Sequence, residues 1–214
     1  MLLEKNGKDR RLIQNWRPIS LLNADYKIGT KCLAKRMERI LPGIIHESQT
    51  AFVKNRFIGD NVRLIDSLLH YTALKDIPGL LMTVDFEKVF DKLEWPYLYK
   101  VLKTFNFGPS FIQWIKSLYT NIMSCVMNRG TSTGYFNIHR GVRQGDPISP
   151  MLFILSLEIF LIAMRSDNDI KGIIFGNEEC KSVSYADDLS CFLRDLASAT
   201  NVFNLLNDFK SISG

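Results

Sequence analysis

The apolar positions in the first third of the chain follow the spacing of two amphipathic helices. Within residues 23–41 apolar side chains recur every three or four positions, which predicts a helix with one face toward a core. The residues of this face are Ile28, Cys32, Leu33, Met37 and Ile40. Pro42 and Gly43 follow and predict the end of the helix. A second helix is predicted over residues 59–74.

A short apolar run then predicts a strand with a carboxylate at its end. Residues 80–84 have the length of a buried strand and lead directly into Asp85. Residues 94–96 are typical of a helix start with proline in the first turn. Residues 108–110, Gly-Pro-Ser, separate this helix from another one that is predicted to extend through Tyr119.

Turn residues and alternating patterns predict two hairpins in the second half of the chain. Strand-like runs at residues 122–128 and 135–138 flank a polar loop over residues 129–134. Residues 183–193 alternate between apolar and polar side chains on both sides of an Asp-Asp pair. This pattern predicts a second hairpin with acidic residues at its tip.

Helical patterns lie on both sides of the second hairpin, at residues 150–164 and 197–212. The order is helices, strand, helices, strands, helix, hairpin and helix, which is not a regular alternation of strands and helices. We therefore expect an α+β protein with one antiparallel sheet backed by helices.

The composition is that of a globular protein and excludes disordered, collagen-like and coiled-coil chains. Of the 214 residues 46% are hydrophobic and 23% are charged, which fits one large domain or two small ones. The most apolar stretch, residues 151–164, is shorter than the roughly 20 residues that a bilayer span needs. Because the N-terminus also lacks the apolar core of a secretory signal, we expect no membrane crossing and an intracellular location, in the cytoplasm or nucleus. The four cysteines and three histidines have the spacing of neither a zinc site nor a disulfide framework.

The positive charge is concentrated at the N-terminal end. Residues 1–63 contain 13 Lys and Arg against 6 Asp and Glu, a net charge of +7, while the remaining residues have a net charge of −2. This distribution indicates a region that meets phosphates beside a region that uses carboxylates. A solvated basic face is the alternative.

Three acidic residues at predicted strand ends are the candidates for chemistry. Asp187 and Asp188 lie at the tip of the second hairpin, where side chains can converge although successive residues of a strand face opposite sides. Asp85 would join them if the two strand ends are neighbours. Three carboxylates about 4 Å apart repel by roughly 4 kcal/mol per pair at an effective dielectric of about 20, so such a cluster needs a cation.

Oxygen ligands alone favour Mg²⁺ or Mn²⁺ over zinc. Two such ions about 3.5–4 Å apart can hold the attacking and leaving oxygens of a phosphoryl transfer, which is the chemistry of a polymerase or nuclease. The alternative is that the Asp-Asp pair forms a solvent-exposed turn.

Four segments resemble motifs of reverse transcriptases and occur in the order of that family. Residues 185–188, Tyr-Ala-Asp-Asp, resemble the Y/F-x-D-D signature. Residues 84–91 resemble the first catalytic motif, residues 143–150 the second, and residues 15–21 the entry to the fingers region. The chain is identified by these segments as a member of the LINE-type, non-LTR retrotransposon reverse transcriptases, and it resembles those of group II introns more distantly.

This resemblance implies an RNA-directed DNA polymerase with the fingers and palm of a right-hand fold. Residues 1–78 would form a fingers-like basic region and residues 79–214 a palm-like catalytic region. The implied partners are an RNA template, a DNA primer and deoxynucleoside triphosphates. The implied cofactors are two Mg²⁺ or Mn²⁺ ions, with Asp85 and Asp187 as the ligands that bind or bridge them and Asp188 as the supporting ligand.

The resemblance also implies two residues beside the incoming nucleotide. Phe90 corresponds to the aromatic side chain that lies under the sugar and selects deoxynucleotides. A core Phe next to Val89 is the alternative. Gln144, between two glycines, corresponds to a residue beside the nascent base pair.

Basic residues would bind the phosphates. Arg17 lies in the segment that resembles the triphosphate-binding fingers loop, where a guanidinium can pair bidentately with phosphate. Arg10 is its candidate partner, with Lys8 and Arg11 as alternatives. Arg56, in residues 49–56, matches another family segment and would contact the template, a solvated Arg being the alternative.

The chain also departs from the family. Val89 stands where the family usually has Ala, and the family would continue beyond Gly214 into a Lys-bearing motif and a thumb. An endonuclease domain usually precedes the polymerase. We therefore expect a fragment of an element without its thumb. The alternatives to an active polymerase are a catalytically inactive nucleic-acid-binding remnant and a maturase-like RNA-binding protein.

Overall fold

The computed structural model describes residues 1–4, 6–7, 9–128 and 130–214, so that Lys5, Lys8 and Arg129 lie outside the described residues. Its helices are α1 (Ala24–Ile44), α2 (Ile58–Lys75), α3 (Val89–Lys92), α4 (Trp95–Thr104), α5 (Pro109–Leu118), α6 (Ser149–Ser166) and α7 (Leu196–Ser213). Its strands are β1 (Leu2–Glu4), β2 (Trp16–Pro18), β3 (Leu80–Asp85), β4 (Met123–Ser124), β5 (Met127–Asn128), β6 (Thr131–Ser132), β7 (Phe136–Asn137), β8 (Ile173–Phe175), β9 (Glu178–Cys180), β10 (Ser182–Tyr185) and β11 (Asp188–Leu193). The α+β class predicted from the element order is confirmed.

A three-stranded antiparallel sheet in the order β10-β11-β3 contains the predicted strand ends. β10 and β11 form the predicted hairpin, with Tyr185 opposite Asp188. β3 pairs with all six residues of β11, from Leu80 opposite Leu193 to Asp85 opposite Asp188. The end of β3 and the acidic hairpin tip are therefore neighbours at the same end of the sheet.

The strand predicted at residues 80–84 is present, but it is less buried than its apolar run suggests. Leu80 and Leu81 are 38% and 43% exposed, whereas Met82 and Val84 pack against the main core. Among the described residues β3 is an outer strand of the sheet, and only its alternate side chains are covered. A continuous apolar run does not by itself distinguish a strand covered on both faces from one covered on one face.

Helix α6 is the centre of the core. It is buried along most of its surface, and helices α1, α4 and α7 pack against it. Its length and its mean hydropathy of 1.5 would suit a membrane span, but 61% of these residues are buried inside the fold. A helix that is apolar on all sides and covered by other helices is the core helix of a globular domain.

Helix α1 continues past the proline that was predicted to end it. Pro42 lies inside the helix, which ends at Ile44. Proline cannot donate a backbone hydrogen bond, so it weakens this last turn. The guanidinium of Arg56 lies at the end of the helix and donates to the carbonyls of Pro42 and Ile45. This contact compensates for the carbonyls that the helix end leaves without partners.

In the part of the chain that the structure describes, four two-stranded ribbons accompany the three-stranded sheet, where a single sheet was expected. The predicted hairpin over residues 122–138 is interrupted, because β4 pairs with β7 and β5 pairs with β6. Its loop is also shorter than residues 129–134, since Thr131 and Ser132 belong to a strand. The ribbons β1–β2 and β8–β9 had no sequence prediction.

The N-terminal segment packs directly on the rest of the fold. Helix α1 contacts α6, and α2 contacts β8 and β10. Residue Gln49 forms a parallel bridge with Ser184 of β10. The division into regions 1–78 and 79–214 stays a prediction, and these contacts show that the two segments meet beside the central sheet.

Candidate active site

The acidic pair is presented by a tight turn between β10 and β11. Because Tyr185 pairs with Asp188, Ala186 and Asp187 are the two central residues of the turn. Ala186 has a φ of 55°, a left-handed conformation that costs free energy for a residue with a Cβ atom. The turn leaves Asp187 half-buried and Asp188 exposed.

Asp85 completes the acidic group from a separate part of the chain. It is the last residue of β3 and lies directly opposite Asp188 in the antiparallel register. Side chains of directly opposed residues are on the same face of a sheet, with Cβ atoms about 4.5–5.5 Å apart. The structure therefore brings together the three acidic residues that were singled out from the sequence.

The electrostatics of Asp187 reflect this crowding. Its pKa is raised above the ordinary value, first by burial and then by repulsion from Asp188 and Asp85, while a backbone hydrogen bond acts in the opposite direction. Asp188 and Asp85 thus lie near enough to Asp187 to disfavour its charge.

The proximity of the three carboxylates does not by itself give them the geometry of a metal site. Among the described residues, no group of three or more His, Cys, Asp and Glu side chains is arranged to hold a metal ion. The chemistry of the donor set does fit a hard divalent cation, since it consists of oxygen donors whose mutual repulsion a cation would relieve.

Gln49 contacts the acidic turn and was missed by the sequence analysis. Its side chain is fully buried, accepts a hydrogen bond from the backbone N–H of Ala186 at 3.1 Å and donates to the Ala186 carbonyl at 3.3 Å. The sequence contains no signal for this contact, because the two residues are 137 positions apart.

Both terminal nitrogens of the Arg56 guanidinium are bound to backbone carbonyls. Its Nη1 donates to the carbonyls of His46 and Gln49, and its Nη2 to those of Pro42 and Ile45. The alternative of a solvated Arg56 is therefore wrong. The template contact stays a prediction, and only the Nε–H group remains for it because both terminal nitrogens are engaged.

Gln144 lies in a loop that is tied to the N-terminal segment. Its carbonyl accepts a hydrogen bond from the N–H of Ser20 at 3.0 Å. Next to it, Gly145 has a φ of 96°, and a Cβ atom there would lie 3.3 Å from the Ser20 carbonyl oxygen. Glycine is therefore needed at this position for the loop to pass close to the N-terminal segment.

Asp146 fastens the same loop to helix α1. It is buried and accepts a hydrogen bond from the hydroxyl of Tyr26 at 2.8 Å. The guanidinium of Arg143 lies over the Tyr26 ring, 4.7 Å from its centroid. These contacts connect the loop that carries Gln144 to the first turn of α1.

Phe90 is on the short helix α3, five residues after Asp85. It is half-buried, and its ring lies 5.0 Å from the ring of Phe153 of α6, measured between centroids. Its backbone carbonyl accepts from Val142 N–H at 2.6 Å. The ring thus has a packing partner on one side while part of its surface remains accessible.

The two arginines predicted for the triphosphate have different surroundings. Arg10 forms a bidentate ion pair with Glu4, at 2.6 and 3.0 Å. Arg17 is exposed on β2 opposite Leu3. Arg11, the alternative partner, pairs with Asp9. Of these three arginines, only Arg17 has no ion-pair partner among the described residues.

Comparison with known proteins supports a polymerase assignment. The family model described as "Reverse transcriptase (RNA-dependent DNA polymerase)" matches residues 3–214. The Transposon TX1 uncharacterized 149 kDa protein of Xenopus laevis is 38% identical over 197 residues, which are 91% of this chain and 15% of that protein. A Retrovirus-related Pol polyprotein from the type-1 retrotransposable element R2 of Popillia japonica is 29% identical over 225 residues, covering 99% and 31% of the two chains.

Solved structures show the same fold at low sequence identity. Apo telomerase from Candida tropicalis superposes with a TM-score of 0.59 at 11% identity, covering 87% of this chain and 35% of that one. Telomerase from Candida albicans, in complex with a TWJ fragment of telomeric RNA, gives a TM-score of 0.54 at 15% identity over 85% and 32% of the two chains. The chain spans a third or less of the length of the curated relatives described above. The match to the family model over residues 3–214 places it in the reverse transcriptase (RNA-dependent DNA polymerase) family.

Proposed function

We propose that this chain adds deoxynucleotides to the 3′-hydroxyl of a DNA primer paired with an RNA template. The observation that carries this proposal is the register that sets Asp85 opposite Asp188, one residue from Asp187. These carboxylates would hold two Mg²⁺ or Mn²⁺ ions. When bound, such ions would lower the pKa of the attacking hydroxyl and neutralise the charge of the triphosphate.

The chain's own residues would orient the substrates. The exposed guanidinium of Arg17 suits a triphosphate, because it is a planar donor that stays charged. Arg10 could join it only by exchanging its ion pair with Glu4 for one with phosphate. Phe90 would contact the sugar and Gln144 the base pair. Both lie on segments that hydrogen-bond to each other through the Val142–Phe90 contact.

Helix α1 has the surface that the template requires. Lys27, Lys31, Lys35 and Arg39 follow one another at intervals of four along its exposed side. None of them forms an ion pair with another residue that the structure describes. Like charges at this spacing destabilise a helix, so a row of phosphates is a favourable neighbour for them.

The surroundings of α1 connect this basic face to the proposed site. Tyr26, in its first turn, binds Asp146 in the loop that carries Gln144. At its other end Arg56 links the helix to Gln49 and thereby to the acidic turn. Two solved telomerases similar in fold are complexes with an RNA fragment, which supports RNA as the template class.

We also propose that the chain acts inside the cell.

A primer-extension assay on poly(rA)/oligo(dT) tests this function. Wild-type protein is expected to extend the primer with deoxythymidine triphosphate when Mg²⁺ or Mn²⁺ is added. Asp85→Asn should abolish extension, while Asp66→Asn, at an exposed position on α2, should not. The same assay is run on a longer version that includes the Lys-bearing motif and the thumb of the family. If both proteins bind the primer and neither adds nucleotides to it, the inactive nucleic-acid-binding remnant is the better account.

A further inference from the structure

The backbone of the acidic turn is held by a side chain from a distant segment. Ala186 is in the left-handed conformation and is buried, so its N–H and carbonyl groups need partners inside the protein. Gln49 supplies both, as acceptor for the N–H and as donor to the carbonyl. A single amide side chain thus forms hydrogen bonds with both backbone groups of Ala186, the residue directly before Asp187.

Gln49 is itself fixed in place. The same Oε1 atom accepts a second hydrogen bond, from the N–H of Ala51 at 2.9 Å. Its backbone neighbours pair with β10, through Thr50 N–H to the Ser184 carbonyl at 3.0 Å and Ser184 N–H to the Ser48 carbonyl at 2.8 Å. The side chain therefore approaches the turn from a segment whose backbone forms a parallel bridge with β10.

Arg56 holds the other side of this segment. Its Nη1 donates to the carbonyl of Gln49 at 2.8 Å, and its remaining acceptors are carbonyls near the end of α1. A guanidinium that bonds a carbonyl in the last turn of α1 and three carbonyls of the following segment fixes that segment relative to the helix. The contacts form a continuous series from α1 through Arg56 and Gln49 to Ala186.

We propose that Gln49 and Arg56 are positioning residues that set the carboxylates of Asp187 and Asp188 for metal ions. This inference rests on the proposed function. Free energy is required to keep Ala186 in its left-handed conformation, and the two hydrogen bonds from Gln49 offset that cost. Without them the turn can relax, and the direction in which Asp187 projects changes with it.

Amide hydrogen exchange of the full chain tests the first part without metal or substrate. In the Gln49→Met variant the amides of Ala186 and Ala51 both lose their acceptor, and their exchange should become faster than in the wild-type protein. Asn61→Leu is the matched control, because Asn61 is also buried and donates to the Ser184 carbonyl of β10 but does not contact the turn. Its variant should retain slow exchange at Ala186.

Metal affinity tests the second part. Mn²⁺ binding, measured from the signal of free Mn²⁺ in electron paramagnetic resonance, should weaken in Gln49→Met by about 10-fold or more, as is typical when a group that orients a ligand is removed. Arg56→Met should weaken it in the same direction. Asn61→Leu and Lys54→Gln, the latter on an exposed residue of the same loop, should bind Mn²⁺ as the wild-type protein does.

The outcomes separate the inference from the function on which it rests. Slow exchange at Ala186 in Gln49→Met would overturn the inference. An equal loss of Mn²⁺ affinity in Gln49→Met and Asn61→Leu would also overturn it, because equal losses would show a general loss of stability. A wild-type protein that binds no Mn²⁺ would overturn the proposed metal chemistry and the positioning for metal together. A wild-type protein that binds Mn²⁺ normally but extends no primer would count against the function alone.

Discussion

Asp85 lies directly opposite Asp188 across strands β3 and β11, at the end of the only three-stranded sheet among the described residues. Two like charges in this relationship destabilise a strand pair. The other pairs are uncharged, and all of them except Thr83 opposite Ser190 are apolar. The sheet is therefore built from residues that stabilise it except at the end where the acidic residues meet.

Replacing Asp187 by Asn should raise the melting temperature in the absence of divalent metal. The pKa of Asp187 is higher in the folded state than its ordinary value, first because of burial and then because of Asp188 and Asp85. The folded state therefore binds this proton more tightly than the unfolded chain, and stability falls as the pH rises from near 4 through the folded-state pKa. Thermal unfolding at several pH values should show that the gain in Asp187→Asn is largest at neutral pH and disappears toward pH 4.

Added Mg²⁺ should raise the melting temperature of the wild-type protein above that of Asp187→Asn. The wild-type melting temperature should rise with Mg²⁺ concentration, because a ligand that binds only the folded state stabilises it. Asp187→Asn should lose most of this response, and Asp66→Asn on α2 should keep it. An Asp187→Asn protein with the full Mg²⁺ response would show that Asp187 does not take part in metal binding.

Local patterns were sufficient to predict the elements that carry the acidic residues. Strand 80–85 and the hairpin that contains Asp187 and Asp188 both follow from periodicity and from the position of polar residues. Their pairing did not follow from the pattern, since register between strands about a hundred residues apart depends on tertiary contacts. The resemblance to reverse transcriptases supplied the reason to expect that these strand ends meet.

The contacts that support the site could not be predicted in this way. Gln49 and Arg56 act through backbone carbonyls and amides, which any sequence provides, so neither residue has a partner that a motif would reveal. The exposure of Leu80 and Leu81 likewise depends on which strand lies at the edge of the sheet. Such features are set by the tertiary arrangement rather than by local propensity.

Phe90 should influence the choice between deoxyribonucleotides and ribonucleotides. Its ring packs on Phe153 and remains partly accessible, so removal of the ring would open space where we propose that the sugar binds. Phe90→Ala is expected to increase ribonucleotide incorporation relative to deoxynucleotide incorporation in a single-nucleotide extension assay. The lost packing should lower the free energy of unfolding by about 1–3 kcal/mol.

The control for this effect is Phe153→Leu, which disturbs the same pair of rings from the buried side. It should reduce stability without a comparable change in sugar selection. Equal discrimination by wild type and Phe90→Ala would assign Phe90 to the core alone.

A buried ion pair within α6 also contacts the segment after α1. Glu158 is 1% exposed, forms an ion pair with Arg165 and accepts a hydrogen bond from His46 N–H. Arg165→Met would leave the carboxylate buried without its partner, which should cost about 3–5 kcal/mol in a urea unfolding experiment. The double variant Glu158→Leu/Arg165→Met should recover much of this loss, and a double variant less stable than Arg165→Met would contradict the explanation.

The exposed basic side of α1 should dominate the salt dependence of RNA binding. Substitution of Lys27, Lys31 and Lys35 by Gln removes three cations that have no ion-pair partner among the described residues. Each phosphate contact with single-stranded nucleic acid contributes about 0.7 to the slope of log affinity against log salt, so the slope should decrease by about 2. Fluorescence anisotropy with a labelled RNA oligonucleotide at several salt concentrations measures it.

A charge-matched control separates a defined surface from net charge. The triple variant Lys75→Gln/Lys100→Gln/Lys103→Gln also removes three exposed lysines, which lie on α2 and α4. If α1 forms the binding surface, this variant should retain a slope close to that of the wild-type protein, because only cations that contact phosphates release counterions on binding. Equal slopes for the two triple variants would show that RNA is attracted by overall charge, and the basic side of α1 would then have no specific part in holding the template.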